Sequence, residues 1–350
     1  MSQLTIQIEP RTLHFREPAG TSRGVYRERR IHLVRLTDGK RTGTGECAPL
    51  PKLSQDDQPD YDEVLNNAAG QLAQTGLIDT EALRPYPSIL FGLETALLNF
   101  QHGQRLFDTA FSRGEEGIPI NGLVWMGTAE EMQRRIEQKI EQGYRCIKLK
   151  VGAIDFESET ELLRKLRSRF SHRELEIRLD ANGAFNYYAE PDDNGTRDDA
   201  LYKLELLSQY AIHSIEQPIK AGQWANMAQL VRDAPVAIAL DEELIGVNDC
   251  EQKAQMLNII RPAYVVIKPS LHGGISGTKE WADVARRMDV GSWITSALES
   301  NVGLNAIAQL ASHIYGDHIN MPQGLGTGQL FTDNLPMPLE IRDCKLWRTE

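Results

Sequence analysis

The chain has 350 residues and a mass of 39.3 kDa, which at roughly 150 residues per domain predicts about two domains. Hydrophobic residues make up 41% and charged residues 25%, an ordinary globular composition with material for a large core. The net charge of −11 without a long basic run argues against nucleic acid as a partner, and no apolar stretch approaches the ~18 residues of a membrane-spanning helix.

The opening segment MSQLTIQIEP lacks the basic and apolar regions of a secretion signal. Cys47, Cys146, Cys250 and Cys344 are scattered and form no CxxC pair. They read as thiols of a reducing cytoplasm rather than a zinc site or disulfide framework.

Residues 3–9 and 31–36 alternate apolar and polar side chains, the pattern of half-buried strands. Between them, residues 20–30 are polar and glycine-containing. They read as a hairpin loop or arm, and a lid over a neighbouring site is the functional form of that expectation. Leu90, Leu93, Leu97 and Phe100 mark a helix over 88–100, with Ser88 as its N-cap. Strands followed by helices predict an α+β capping domain over residues 1–115.

From residue 117 onward, short apolar runs alternate with helical stretches. The runs are 118–125, 145–151, 175–182, 212–218, 236–243, 264–270 and 292–300, with an eighth expected around 319–326. Thr128-x-x-Glu131 reads as a capping box and Gly143 as a helix stop. The fold class is α/β, a TIM-type barrel over residues 116–330, followed by a C-terminal tail over 331–350.

Strand alternation places Lys148 with Lys150, and Arg178 with Asp180, on one face of their strands. Glu216, Asp241 and Lys268 likewise end otherwise apolar strands. Lys150, Asp180, Glu216, Asp241 and Lys268 follow one another at intervals of 30, 36, 25 and 27 residues, about one βα unit each. The longest interval holds a polar insertion, residues 186–199. Successive barrel strands thus deliver five ionisable groups to the mouth where such barrels carry their sites.

Three crowded carboxylates repel one another, and a divalent cation relieves that. Oxygen-only ligation by Asp180, Glu216 and Asp241 favours Mg²⁺, with Mn²⁺ as a substitute. Beside such an ion the two lysines are expected to have lowered pKa values, suited to a base. His213 and His272 lack a second His at ligand spacing and read as structural or wall residues. Asn194-Gly195-Thr196 matches a glycosylation triplet but carries no weight without a secretion signal.

The arrangement resembles the enolase superfamily, whose members use a Lys or His base with Mg²⁺ beside an ene-diolate. Lys148-Leu149-Lys150 is similar to the K-x-K of its muconate-lactonizing subgroup. Asp180-Ala181-Asn182, Glu216-Gln217-Pro218 and Leu240-Asp241-Glu242 resemble the three metal segments, and Lys268 the opposite lysine. The resemblance implies a capping domain followed by a modified (β/α)₇β barrel. Within the subgroup, Ile267-Lys268-Pro269-Ser270-Leu271 and Arg178-Leu179-Asp180-Ala181-Asn182 are similar to the o-succinylbenzoate synthase family. That family dehydrates a small-molecule carboxylate, 2-succinyl-6-hydroxy-2,4-cyclohexadiene-1-carboxylate (SHCHC), through an enediolate, in menaquinone biosynthesis.

The resemblance implies Lys150 as base and then proton donor, Lys268 as a cation facing the delocalised anion, and Lys148 as a partner that tunes Lys150. It also offers Arg178, through water, and Thr295 and Ser296 as substrate-binding candidates. N-succinylamino acid racemases share the same set, and His272-Gly273-Gly274-Ile275 suits them too. Dipeptide epimerases carry an acidic pair where this chain reads Gln323-Gly324-Leu325-Gly326. Muconate cycloisomerase and a non-catalytic barrel are further alternatives. The residues specify no oligomeric state.

Overall fold

The computed structural model describes residues 4–21, 24–152, 154–190 and 197–349. β1 (Thr5–Thr21) and β2 (Gly24–Thr37) form a long antiparallel hairpin, paired from Thr5 opposite Thr37 to His14 opposite Glu28 and, after a register shift, from Ala19 opposite Tyr26 to Thr21 opposite Gly24. Residues 20–30, expected as a loop or arm, are therefore mostly strand. Cross-strand pairing satisfies backbone groups that a solvated loop leaves to water. Residues 22 and 23 lie outside the described residues, as do 191–196 of the insertion with its Asn194-Gly195-Thr196 triplet.

β3 (Thr42–Cys47) completes this sheet by pairing with β2. Two helices cover it, α1 (Tyr61–Thr75) and α2 (Pro87–His102). Glycines make the close contact between α2 and β3: a Cβ on Gly45 would collide with the Gly92 carbonyl, and one on Gly43 with the Ala96 carbonyl. Ser88 is not the N-cap of α2. Tyr86 holds that place, with Pro87 in the first turn. Ser88 instead donates its N–H and O–H to Asp56 Oδ2 at 2.8 and 2.6 Å, so Asp56 does the capping from outside the helix.

The second region begins with β4 (Ile118–Pro119) and β5 (Gly122–Val124). There follow α3 (Ala129–Glu141), β6 (Cys146–Lys150), α4 (Phe156–Arg169), β7 (Glu176–Asp180), α5 (Ala200–Leu207) and β8 (Ser214–Glu216). Then come α6 (Trp224–Asp233), β9 (Ile238–Leu240), α7 (Cys250–Ile260), β10 (Tyr264–Ile267), α8 (Gly274–Arg287), β11 (Gly291–Ile294) and α9 (Asn301–Tyr315). The expected capping box is present: Thr128 accepts from the Glu131 N–H while Glu131 accepts from the Thr128 N–H.

Strands β5 to β11 lie side by side in chain order, all parallel. The eighth strand contracts to two bridges, Gln323 with Ile120 and Gly324 with Thr295. These link the last strand to the start of the first and close the barrel. Pro322 lacks a donor, and the surrounding glycines favour turns over an extended run. The stretch 118–125 is likewise divided. β4 leaves the barrel to pair with β13 (Lys345–Arg348), itself in a hairpin with β12 (Leu339–Arg342). The residues expected as a C-terminal tail are thus tied to the barrel and to β1, where Phe15 bridges Phe331.

Side chains alternate as the pattern predicts. Ile147, Leu149, Ile177, Leu179, Ile215 and Leu240 join the large core between strands and helices. Ala239, Val266 and Trp293 form a separate cluster, on the alternate set of positions that faces the barrel axis. A further cluster joins Leu13, Ile31, Leu33 and Leu50 of the first region to Leu271, Ala297 and Leu298 of the barrel. Burying such side chains contributes ~1.5–3 kcal/mol each, so this seam holds the two regions together over the barrel mouth.

Candidate active site

Parallel pairing sets Lys150 opposite Asp180, and Asp180 opposite Glu216. The three side chains therefore stand in one row at the C-terminal edge of β6, β7 and β8. Asp241 follows β9 by one residue, and Lys268 follows β10 by one. The carboxylates are almost wholly buried, at 0% exposure for Asp180 and Asp241 and 2% for Glu216. A buried charge is costly unless paired, and here each has a lysine.

Lys148 Nζ donates to both Glu216 oxygens, at 2.7 and 2.6 Å, and lies 2.9 Å from Asp180 Oδ2. Lys150 Nζ donates to Asp180 Oδ2 at 2.8 Å and to Asn182 Oδ1 at 2.7 Å. Lys268 Nζ donates to Asp241 Oδ2. All five residues expected from spacing, and Lys148 with them, are thus brought to one place.

Burial opposes the charge on Lys148 and Lys268, yet the surrounding carboxylates raise the pKa of each. For Lys148 the carboxylates of Asp180, Glu216 and Asp241 outweigh burial. For Lys268 those of Asp241, Glu216 and Glu242 do so. Burial likewise pushes Asp180 up, but Lys148, Lys150 and Lys268 hold it well below the ordinary carboxylate range. Asp241 is raised, chiefly by burial.

Among the described residues no three His, Cys, Asp or Glu side chains already surround a metal-sized space; Lys148 bridges Asp180 and Glu216 instead. The donors nevertheless fit a hard cation. They are all carboxylate oxygens, and Asp241 Oδ1 is buried with no hydrogen-bond partner among the described residues.

A cavity opens above this row. Lys148, Lys150, Lys268, Asn182 and Glu242 line its charged side. Tyr26, Leu50 and Leu53 of the first region face it, as do Trp125, Ala297 and Leu298. The hairpin expected to act as a lid thus contributes Tyr26, whose hydroxyl donates to Pro51 O at 2.8 Å.

Thr295 and Ser296 both line the cavity. Thr295 Oγ1 donates to Gly324 O at 2.9 Å, and Ser296 Oγ pairs with Thr327 Oγ1 at 2.6 Å. Arg178 does not reach it. Its guanidinium stacks on Trp293 at 4.5 Å and donates to Glu176 Oε1 and Pro322 O at 2.7 and 2.9 Å. Arg178 lies two residues before Asp180 on the same strand face, so it sits deeper in the barrel, below the charged row. The histidines are structural: His213 stacks on Tyr264 at 4.9 Å, and His272 Nδ1 accepts the Lys268 N–H at 2.9 Å.

Several site residues escape the spacing argument. Asn182 joins Lys150 to Glu242, donating from Nδ2 to Glu242 Oε1 at 2.9 Å. Gln217 Oε1 accepts the Asp241 and Glu243 N–H groups, each at 3.2 Å. Both residues have positive φ, 46° and 41°, a strained conformation of the kind that collects at functional sites. Their signal in the sequence is only their place after Asp180 and Glu216. Trp125 and Tyr26 carry none.

Comparison with known proteins agrees with this geometry. Residues 131–347 match the enolase C-terminal domain-like family, and residues 22–100 match the MenC N-terminal domain. The o-succinylbenzoate synthase of Desulfotalea psychrophila LSv54 is 43% identical, over 97% of this chain and 98% of that protein. The o-succinylbenzoate synthase of Yersinia enterocolitica is 29% identical, over 80% of this chain and 77% of that protein. The crystal structure of MenC from Desulfotalea psychrophila LSv54 superposes with a TM-score of 0.81, at 40% identity over 99% of this chain and all of that one. The L-Ala-D/L-Glu epimerase of Bacillus subtilis, at 18% identity over 99% and 96% of the two chains, shares the fold with the same TM-score. With its paired family matches, and a relative of this identity over nearly its whole length, the chain belongs to the o-succinylbenzoate synthase family of the enolase superfamily.

Proposed function

We propose that the protein is a Mg²⁺-dependent carbon–oxygen lyase that dehydrates SHCHC to o-succinylbenzoate, a step of menaquinone biosynthesis. The observation that carries this reading is the placement of Lys150 and Lys268 at the ends of separate strands, both facing the cavity, with Asp180, Glu216 and Asp241 buried behind them. Elimination of water next to a carboxylate needs a base, a cationic partner for the delocalised charge, and a stabiliser for the carboxylate oxygens.

Lys150, in its neutral form, takes the proton from the carbon bearing the carboxylate. The C–O bond to the hydroxyl then breaks, and the Lys150 ammonium returns its proton to the departing hydroxide, giving water on the same face. Lys268 supplies a fixed positive charge against the ring during this step. Lys148 hydrogen-bonds the substrate carboxylate and tunes Lys150 through the Asp180 carboxylate that both lysines share. Asp180, Glu216 and Asp241 would hold the divalent cation, Mg²⁺ or Mn²⁺. That ion supplies positive charge to the carboxylate oxygens as they become more negative.

Thr295 and Ser296, which line the cavity, are placed to bind a substrate carboxylate. Arg178 supports Trp293 rather than contacting substrate. A second reading rests on the same two lysines. Standing at the ends of different strands, they suit proton exchange from both faces of an α-carbon, as in an N-succinylamino acid racemase. The four free cysteines agree with work in the cytoplasm, and no helix among the described residues is long and apolar enough to cross a membrane.

The test is loss of SHCHC absorbance with purified protein and Mg²⁺. Turnover that disappears in Lys150→Ala supports the reading, and absence of turnover in the unaltered protein removes it.

A further inference from the structure

A buried guanidinium that hydrogen-bonds no carboxylate among the described residues needs a reason. Arg29 on β2 is 1% exposed. Its hydrogen bonds go to four backbone carbonyls: Nη2 donates to Ala48 O at 2.6 Å and to Ala297 O at 3.4 Å, Nε donates to Leu298 O at 3.2 Å, and Nη1 donates to Pro49 O. Two of these acceptors belong to the loop after β3 and two to the loop after β11. Arg29 therefore spans the seam between the first region and the barrel.

Both loops are cavity wall. Leu50 follows the first pair of acceptors, and Ala297 and Leu298 carry the second. Leu298 has φ 67°, a left-handed conformation that a branched side chain adopts only when its surroundings enforce it. The Leu298 carbonyl is held by Arg29. The next residues are fixed as firmly: Glu299 Oε2 accepts the Ala297 N–H at 2.7 Å and Oε1 accepts from Ser270 Oγ. Glu46 accepts from the Ser300 and Gly303 N–H groups, each at 2.9 Å. Ser270 lies two residues beyond Lys268, so the fastening reaches the loop that carries that lysine.

We infer that Arg29 is a positioning residue of the substrate pocket: it holds the strained Leu298 wall against the Ala48–Leu50 loop and so sets how tightly the cavity closes on its ligand. It contacts neither the lysines nor the cavity, so its effect is on binding rather than on proton transfer. This rests on the dehydration reading only for the choice of substrate, not for the fastening itself.

Arg29→Met keeps the apolar stem and removes every donor; Arg29→Lys keeps the charge and restores one or two contacts. Two readouts are paired. Steady-state turnover of SHCHC with Mg²⁺ is expected to show KM raised about tenfold or more in Arg29→Met with kcat within about threefold, and an intermediate KM in Arg29→Lys, since small misplacements of a binding wall cost this much. Amide hydrogen exchange of the ligand-free proteins is expected to rise at least about tenfold in residues 296–303 and 46–51, with β6 to β8 protected as in the unaltered protein. A purely structural role would lower the amount of active enzyme and leave the KM of the folded fraction unchanged; that result overturns the inference. If Arg29→Met does not fold, Arg29→Lys carries both readouts. If the unaltered protein fails to turn over SHCHC, the dehydration reading falls, and the exchange result alone decides: loosening confined to the two loops supports the inference, and unchanged exchange overturns it.

Discussion

Asn182 Oδ1 accepts a hydrogen bond from Lys150 Nζ at 2.7 Å, while the Asn182 backbone sits at φ 46°. Its Nδ2 is held by Glu242 Oε1 at 2.9 Å, so the amide is fixed at both ends. The arrangement aims the lysine across the cavity and, among the described residues, leaves it one carboxylate partner, Asp180. Asn182→Ala is expected to lower kcat by about ten- to a hundredfold with the fold intact, the usual range for removing a supporting contact. Rates near those of the unaltered protein would show that Lys150 needs no such guide.

Lys150→Ala removes the proposed base. General acid–base catalysis contributes ~10²–10⁴-fold, so kcat for SHCHC dehydration is expected to fall by at least about a thousandfold. Thermal melting serves as the control, because the loss of one ammonium leaves Asp180 paired with Lys148.

Chelation followed by readdition tests the cation. Activity is expected to vanish in EDTA, return with Mg²⁺, and return in part with Mn²⁺. Asp241→Asn should require at least about tenfold more Mg²⁺ for half-maximal activity. Full activity in EDTA would contradict the carboxylate assignment.

Glu94 offers a pH test away from the site. It lies on α2 and accepts the Ile275 N–H at 2.6 Å and the Ser276 N–H at 3.2 Å, capping α8 from the other region. Burial raises its pKa from 4.5 to about 7 despite those bonds. The folded state thus holds its proton where the unfolded chain has lost it. Its stabilising contribution is complete below pH 4.5 and declines as pH rises to about 7, by at most about 3 kcal/mol. Glu94→Gln should therefore look better relative to the unaltered protein at pH 8 than at pH 5 in thermal melts. An equal difference at both pH values would contradict this.

The glycine contact between β3 and α2 predicts a stability loss without a change in chemistry. Gly45→Ala places a methyl group against the Gly92 carbonyl, which backbone cannot relieve by a rotamer change. A loss of ~1–3 kcal/mol is expected, read as an earlier denaturation midpoint with KM unchanged.

How much the sequence shows depends on how local the cause is. Lys148, Lys150, Asp180, Glu216, Asp241 and Lys268 were legible because strand alternation and βα spacing are local rules, and parallel register turns them into one row. The raised pKa values of Lys148 and Lys268 are not legible in the sequence, since charge balance depends on which groups finally touch. Arg178 shares a face with Asp180 but lies deeper in the barrel, where Trp293 from β11 takes its guanidinium. Ser88 has a good cap's chemistry, yet Asp56, 32 residues earlier, serves that helix. Arg29 was invisible for the same reason: two of its acceptors lie 268 and 269 residues away. The eighth strand faded because Pro322 and Gly324 leave only isolated bridges.

The most direct test of the central claim gives the purified protein and Mg²⁺ two substrates in parallel. SHCHC is followed by loss of absorbance, and N-succinyl-L-amino acids in D₂O are followed by α-proton exchange, with Lys150→Ala as the control for both. The account predicts fast dehydration, exchange that is slow by comparison, and neither reaction in the variant. Exchange without dehydration would contradict it and assign the two lysines to racemisation instead.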